Sequence, residues 1–253
     1  MSGHSKWATI KRKKGATDAA RGRLFTRLIK EITIAARNGG GNLDGNPRLR
    51  LAIQTAKDNN MPADNIKRAV QKGTGELPGV AYEEVTYEGY GPAGVAILVE
   101  VVTDNSNRTV SEMRHVFSRN NGNMGQSGSV AWMFHKKGSV TVSKGAQKNP
   151  LTEDDLLNII LDAGADDMQS DNDTFAITTS PAAFDAVKKA LEDKGIVIEH
   201  ASLQMAPQNT VKIAGKEAEQ TLKLLEALEE HDDVQNVYSN FDIDEKELAA
   251  LQG

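Results

Sequence analysis

Apolar residues recur along the chain first at helical and then at strand spacing, with the change near residue 81. Leu24, Phe25, Leu28, Ile29, Ile32 and Ala36 fall on one face of a helix that Thr17 or Asp18 would cap and Gly39 to Gly41 would stop. Asn46 is placed to cap a second helix, with Pro47 in its first turn and Leu49, Ala52, Ile53 and Ala56 as its buried stripe. Asn59 and Asn60 end it. Pro62 opens a third, short helix carrying Ile66, Ala69 and Val70, which Gly73 closes. Residues 1–80 are thus expected to form an all-helical domain.

From Ala81 onward short β-branched runs alternate with amphipathic helices, the pattern of an α/β or α+β arrangement. Tyr82 to Glu88 and Val95 to Val102 predict a hairpin. A helix with Val110, Met113 and Phe117 on one face follows, then the apolar segment Val130 to Phe134 and the alternating segment Ser139 to Val142, giving a β-β-α-β unit. Three more helices are predicted to begin near Thr152, at Ser180 with Pro181, and at Gly215. Strand-like runs separate them at Phe175 to Thr178, Ile196 to Leu203 and Val211 to Ile213, and Val234 to Tyr238 supplies a last strand. The chain shows no tandem repeat and no low-complexity linker.

A length of 253 residues exceeds one average domain of about 150 residues, so several modules are expected. The absence of cysteine removes disulfides, thiolate catalysis and sulfur-based metal sites, and fits a reducing compartment. No apolar run has the length of a membrane span or the character of a signal peptide, which predicts a cytoplasmic protein without a membrane partner. The overall charge of −5 conceals an asymmetry: residues 1–80 hold 16 Lys or Arg against 6 acids, and residues 81–253 hold 14 against 29. Such a division suggests that one end meets a polyanion while the other repels it.

Lys6, Lys11, Arg12, Lys13, Lys14, Arg21, Arg23 and Arg27 crowd a stretch whose only acid is Asp18, a density suited to phosphate neutralisation. Trp7 among them could stack on a base or plug the helical core. Arg48, Arg50, Lys67 and Arg68, with Lys57 and Lys72, extend the positive charge over the second and third helices. Their short connector around Met61 and Pro62 suggests a helix-turn-helix, a motif of low specificity, so phosphate gripping is the firmer expectation. Gly89, Gly91 and Gly94 spell GxGxxG, but a strand follows where a dinucleotide site needs a helix, so they are read as hairpin turn chemistry. Arg108, His115 and Arg119 share a stripe that is either a second polyanion contact or a solvated face. The loop Asn120 to Gly128 is a partner contact or a long turn. Acids at Glu153 to Asp155, Asp166, Asp167, Asp171 and Asp173 match no calcium loop, and the five histidines form no HExxH pair. No catalytic constellation, metal, cofactor or small-molecule substrate is therefore expected.

Longer motifs add a family resemblance. Gly3-His4-Ser5-Lys6-Trp7, Ile10-Lys11, Asp18, Arg21 and Phe25 resemble the opening signature of the YebC/PmpR family of probable transcriptional regulators. Asn46-Pro47-Arg48-Leu49, Asn60-Met61-Pro62, Asn65-Ile66, Tyr87-Glu88-Gly89-Tyr90-Gly91-Pro92, Thr103-Asp104-Asn105, Asn107-Arg108-Thr109 and Gly128-Ser129-Val130 continue it in order across essentially the whole chain. Asn121 stands where a glycine pair is expected and Met124 where leucine is. The resemblance implies an α+β multidomain fold: a helical domain (1–80), then two α/β domains of ferredoxin-like type, the third (137–206) inserted in the second (81–136 with 207–242). It also implies a DNA-binding transcriptional regulator. Relatives that include the mitochondrial translational activator of cytochrome c oxidase suggest instead a ribosome-associated factor that binds ribosomal RNA and helps synthesis of proline-rich stretches. Both readings use the same cations on a polyanion, and charge does not separate them.

Overall fold

The structure, a computed structural model, describes residues 18–171, 173–244 and 247. Lys6, Trp7, Lys11, Arg12, Lys13 and Lys14 lie outside the described residues. Helices α1 (Asp18–Gly39), α2 (Pro47–Asp58) and α3 (Ala63–Thr74) enclose one core of Leu28, Ile32, Ala36, Leu49, Ile53, Ala56, Ile66 and Ala69. The helical spacing of these residues in the sequence is what turns them to a common centre. Asn46 does more than cap α2. Its Oδ1 accepts from the Leu49 N–H at 3.0 Å, and its Nδ2 donates to the carbonyls of Ala35 at 2.7 Å and Gly40 at 2.8 Å, so one buried amide joins α1 to α2. Gly73 does not close α3 as its composition suggests. It lies within the helix, where a Cβ would stand 2.4 Å from the Thr33 carbonyl, and Gly75, at φ 83°, forms the C-cap.

The remaining elements follow as β1 (Glu83–Tyr90), β2 (Ala96–Thr103), α4 (Ser106–Arg119), β3 (Asn123–Met124), β4 (Phe134–Ser143), α5 (Glu153–Asp162), β5 (Ala165–Ser170), β6 (Thr174–Thr179), α6 (Phe184–Asp193), β7 (Ile198–Pro207), β8 (Val211–Lys212), α7 (Gly215–Glu229), β9 (Val234–Ser239) and β10 (Phe241–Asp242). The hairpin β1–β2 runs in register from Glu83 opposite Thr103 to Tyr90 opposite Ala96. Its connection holds Ala93 and Gly94 at φ 56° and 76°, so Gly91 and Gly94 serve the turn, whereas Gly89 lies within β1, where a Cβ would stand 2.6 Å from the Phe117 ring. The hairpin occupies the centre of a four-stranded sheet ordered β3-β1-β2-β9. Ile97, Val99 and Val101 of β2 face Met113 and Phe117 of α4 and Leu224, Leu225 and Leu228 of α7.

The edge strand β3 lies inside the Gly- and Asn-rich loop and completes the β-β-α-β unit. The apolar segment Val130 to Phe134, expected there, is instead a single 3-10 turn leading into β4. Its Val130 and Phe134 pack on the second face of the sheet against Ala96, Leu98 and Tyr238. From there β4 and β7 run antiparallel from Phe134 opposite Pro207. They carry the chain into a second sheet, ordered β5-β6-β4-β7, which is the ferredoxin-like order, with a separate core of Val140, Val142, Leu156, Ile160, Phe175, Ile177 and Phe184. The chain then returns to the first sheet, where β9 pairs with β2. No described helix is long and apolar enough to cross a membrane.

Candidate nucleic-acid interface

The cations singled out in the helical domain divide into two groups. Lys67 and Arg68, with Lys72 one turn further along α3, project into solvent with no ion pair among the described residues, as does Lys57 on α2. Arg50 is also exposed, its Nη1 donating to the Leu43 carbonyl at 3.0 Å. The second group faces the neighbouring domain. Arg23 lies 3.9 Å from Glu230. Arg27 donates to the Glu229 carbonyl, and burial lowers its pKa. Arg21 is exposed at the start of α1.

Arg48 grips Glu31 with Nε and Nη2 at 2.7 and 2.9 Å, and Glu84 with Nη2 and Nη1 at 2.6 and 3.2 Å. Its hydrogen bonds to Glu31 push its pKa above the ordinary arginine value, and its bonds to Glu84 hold that carboxyl below the usual range. One fork thus ties α1, α2 and β1 together. On α4, Arg108 binds Asp104 and Asp233 at 2.8 and 2.9 Å, so it departs from the cationic stripe that includes His115 and Arg119.

The junction between helical and middle domains centres on a buried ion pair absent from the sequence-based candidates. Lys30 Nζ donates to Asp233 Oδ1 at 2.7 Å and to the carbonyls of Asp232 and Val102 at 3.0 and 3.1 Å, using all three of its protons. Asp233 Oδ2 accepts from Thr109 at 2.8 Å, Arg108 at 2.9 Å and Thr103 at 3.1 Å. Burial alone would raise the Asp233 pKa, but hydrogen bonds from Lys30, Arg108 and Thr109 bring it far below the ordinary carboxylate value. A cleft of about 500 Å³ opens here, lined by Lys30, Tyr82, Arg108, Glu112 and His231 among others.

Ligand atoms of Glu112, His231 and Asp233 lie within 4.8 Å of one another. Two cations already occupy Asp233, however. The His231 Nδ1 accepts from the Asp233 N–H at 3.1 Å, and its Nε2 lies 2.9 Å from Glu112. The Asp233 carboxylate and both His231 ring nitrogens are thus already engaged by groups of the protein itself.

A second buried carboxylate shapes the loop after β3. Glu88 accepts N–H bonds from Gly128 at 2.6 Å and from Val130 and Ala131 at 2.7 Å each. Burial opposes its ionisation, but the three donors outweigh that effect and lower its pKa. The sequence offers no local sign of this role, because an acid within a strand usually faces water.

A cationic helical domain joined to two antiparallel α+β sheets, the second reached by a long ribbon from the first, defines the class of molecule. The chain belongs to the TACO1/YebC family: residues 5–76 match its N-terminal domain and residues 82–241 its second and third domains. A "probable transcriptional regulatory protein" of Koribacter versatilis is 59% identical over 253 residues, covering 100% of both chains. Another of the same description from Solibacter usitatus is 61% identical over 251 residues, covering 99% of each. The crystal structure of a conserved hypothetical protein from Aquifex aeolicus superposes with a TM-score of 0.81 at 48% identity, over 90% of this chain and 93% of that one.

Proposed function

We propose that this protein is a non-enzymatic transcriptional regulator of the cytoplasm that grips DNA phosphates through its N-terminal helical domain. The observation that carries this reading is the split among its cations. Arg23, Arg27, Arg48 and Lys30 are engaged by the neighbouring domain, whereas Arg50, Lys57, Lys67, Arg68 and Lys72 are left facing solvent on α2 and α3. Unpaired exposed cations on a domain with 16 basic residues and 6 acids supply the counterion-releasing contacts that duplex binding requires. Lys6, Lys11, Arg12, Lys13 and Lys14 would add phosphate contacts, and Trp7 could stack on a base. The acidic remainder, with a domain of residues 137–206 inserted between 81–136 and 207–242, orients the grip by repelling phosphate. Its separate hydrophobic clusters support that division. The relatives named as probable transcriptional regulatory proteins support the choice of DNA.

Fluorescence anisotropy of the full chain on a labelled duplex across a salt series tests the proposal. Replacing Lys67, Arg68 and Lys72 together by alanine should make the slope of log affinity against log salt shallower by about 0.9 for each lost contact. An unchanged slope would remove α3 from the interface. Nuclease-sensitive co-sedimentation with ribosomes, together with no duplex binding, would overturn the assignment to DNA.

A further inference from the structure

Trp132 is 63% exposed and Tyr90 37% exposed, and they flank one point. The Trp132 Nε1 donates to the Ser129 carbonyl at 3.1 Å, and the Tyr90 hydroxyl donates to that same oxygen at 2.9 Å. Here both have satisfied their polar atoms inward on one carbonyl, while most of Trp132 and about a third of Tyr90 remain exposed. The carbonyl that orients them is itself fixed. Ser129 lies in the loop whose amides at Gly128, Val130 and Ala131 are held by Glu88, and Gly125 donates to the Glu88 carbonyl at 2.8 Å. The loop is therefore rigid, and those three amides are no longer available to an anion. What it presents is a pair of ring faces.

Charge around the rings indicates what they receive. Residues 113–152 contain six Lys or Arg and no Asp or Glu, an acid-free run of forty residues inside the otherwise acidic part of the chain. Trp132 lies at its middle. Two of its cations, Arg119 and Lys136, are exposed and have no carboxylate partner among the described residues. Glu84 and Tyr90, six residues apart on β1, face the same side of the sheet, and Glu84 is the residue that Arg48 of the helical domain grips. A strand held by the helical domain would thus meet the aromatic pair about 20 Å further along the same face.

We propose that Trp132 and Tyr90 form a stacking platform for unpaired bases of a single-stranded nucleic acid whose phosphates are held by Lys136 and the helical domain. Bases of any sequence offer a π-face, so the platform would bind strands without reading them. This inference rests on the phosphate-gripping reading above and adds a preference for single-stranded over fully paired segments.

The test uses the full chain, a labelled oligothymidylate of about 20 nucleotides, and a duplex of the same length. Trp132→Ala should weaken single-strand binding by about tenfold, the size of one lost base stack, while duplex affinity and the salt slope stay at wild-type values. Trp132→Phe should retain most of the affinity. In a Trp7→Phe background, where Trp132 is the sole tryptophan, its fluorescence should be quenched by the oligonucleotide. Equal single-strand affinity for the wild type and Trp132→Ala, or absence of quenching, overturns the platform. The phosphate reading then still stands if the Lys67, Arg68 and Lys72 triple variant shows its altered slope. Wild-type protein that binds neither probe overturns both. Trp132-dependent binding of a proline-rich peptide, with oligonucleotide binding unaffected, would reassign the surface to a protein partner.

Discussion

Glu88 shows how a single buried charge can organise a long loop. Three N–H groups converge on its two oxygens, and few other acceptors could serve all of them in so small a space. Glu88→Gln replaces an ionised acceptor of two oxygens by an amide with one, leaving at least one N–H poorly satisfied. The expected cost is about 1–3 kcal/mol. Hydrogen exchange should localise it, with the amides of Gly128, Val130 and Ala131 losing protection in the variant while those of β2 keep theirs; uniform loss would argue against a local anchor. The pH dependence has a definite sign. Because folding lowers the Glu88 pKa, its contribution is present above the unfolded value of about 4.3 and is lost as pH falls below it. The wild type should therefore lose loop protection on acidification, whereas Glu88→Gln should show little further change. None of this is legible locally. Residue 88 reads in sequence as an ordinary strand acid, and only the return of the chain forty residues later supplies its donors.

At the scale of elements, periodicity and capping residues locate most of the fold, and the exceptions have physical causes. Asn46-Pro47, Asn105 and Thr152 cap the helices that follow them, because short polar side chains at those positions satisfy free N–H groups locally. Strand β5 is hidden in the sequence because Asp166 and Asp167 disguise it. It is an edge strand, where exposed acids are tolerated and guard against unwanted pairing. Gly73 reads as a stop signal, but its meaning is tertiary. A methyl group there would press on the Thr33 carbonyl at 2.4 Å and the Ala36 Cβ at 2.7 Å. Alanine gains about 1 kcal/mol of helix propensity, yet forcing α1 and α3 apart costs about 1–3 kcal/mol, so Gly73→Ala should lower the melting temperature. At Gly22 on α1 a methyl group would meet no atom within 4 Å, and there the propensity term acts alone. Gly22→Ala should raise the melting temperature. Matching effects of the two substitutions in calorimetry would refute the packing argument for Gly73.

For the whole molecule, the charge asymmetry visible in composition correctly marks the helical domain as cationic, but composition does not tell which cations are free. The fold diverts Arg27, Arg48 and Lys30 into the contact with the middle domain, and of these the Lys30–Asp233 pair is the most deeply buried. Lys30→Met keeps the length and apolar stem of the side chain but removes the ammonium, leaving Asp233 with Arg108 and two threonine hydroxyls and taking the Lys30 donor away from the Val102 and Asp232 carbonyls. Removing one partner of a buried pair costs about 3 kcal/mol or more. That corresponds to a fall in melting temperature of roughly 6–12 °C for a chain of this size. Because the ammonium is enclosed, it releases no counterions on binding, and the salt slope for duplex DNA should be unchanged. Acid should then narrow the difference between the two proteins. Asp233 has its pKa lowered in the folded state, so the stabilisation it receives from Lys30 is complete above the unfolded value of about 3.9 and declines as pH drops below it. Denaturant unfolding of wild type and Lys30→Met at pH 7 and near pH 3 checks this. A stability gap that stays constant across that range would mean that Lys30 contributes through packing and its carbonyl contacts rather than through the charge of Asp233.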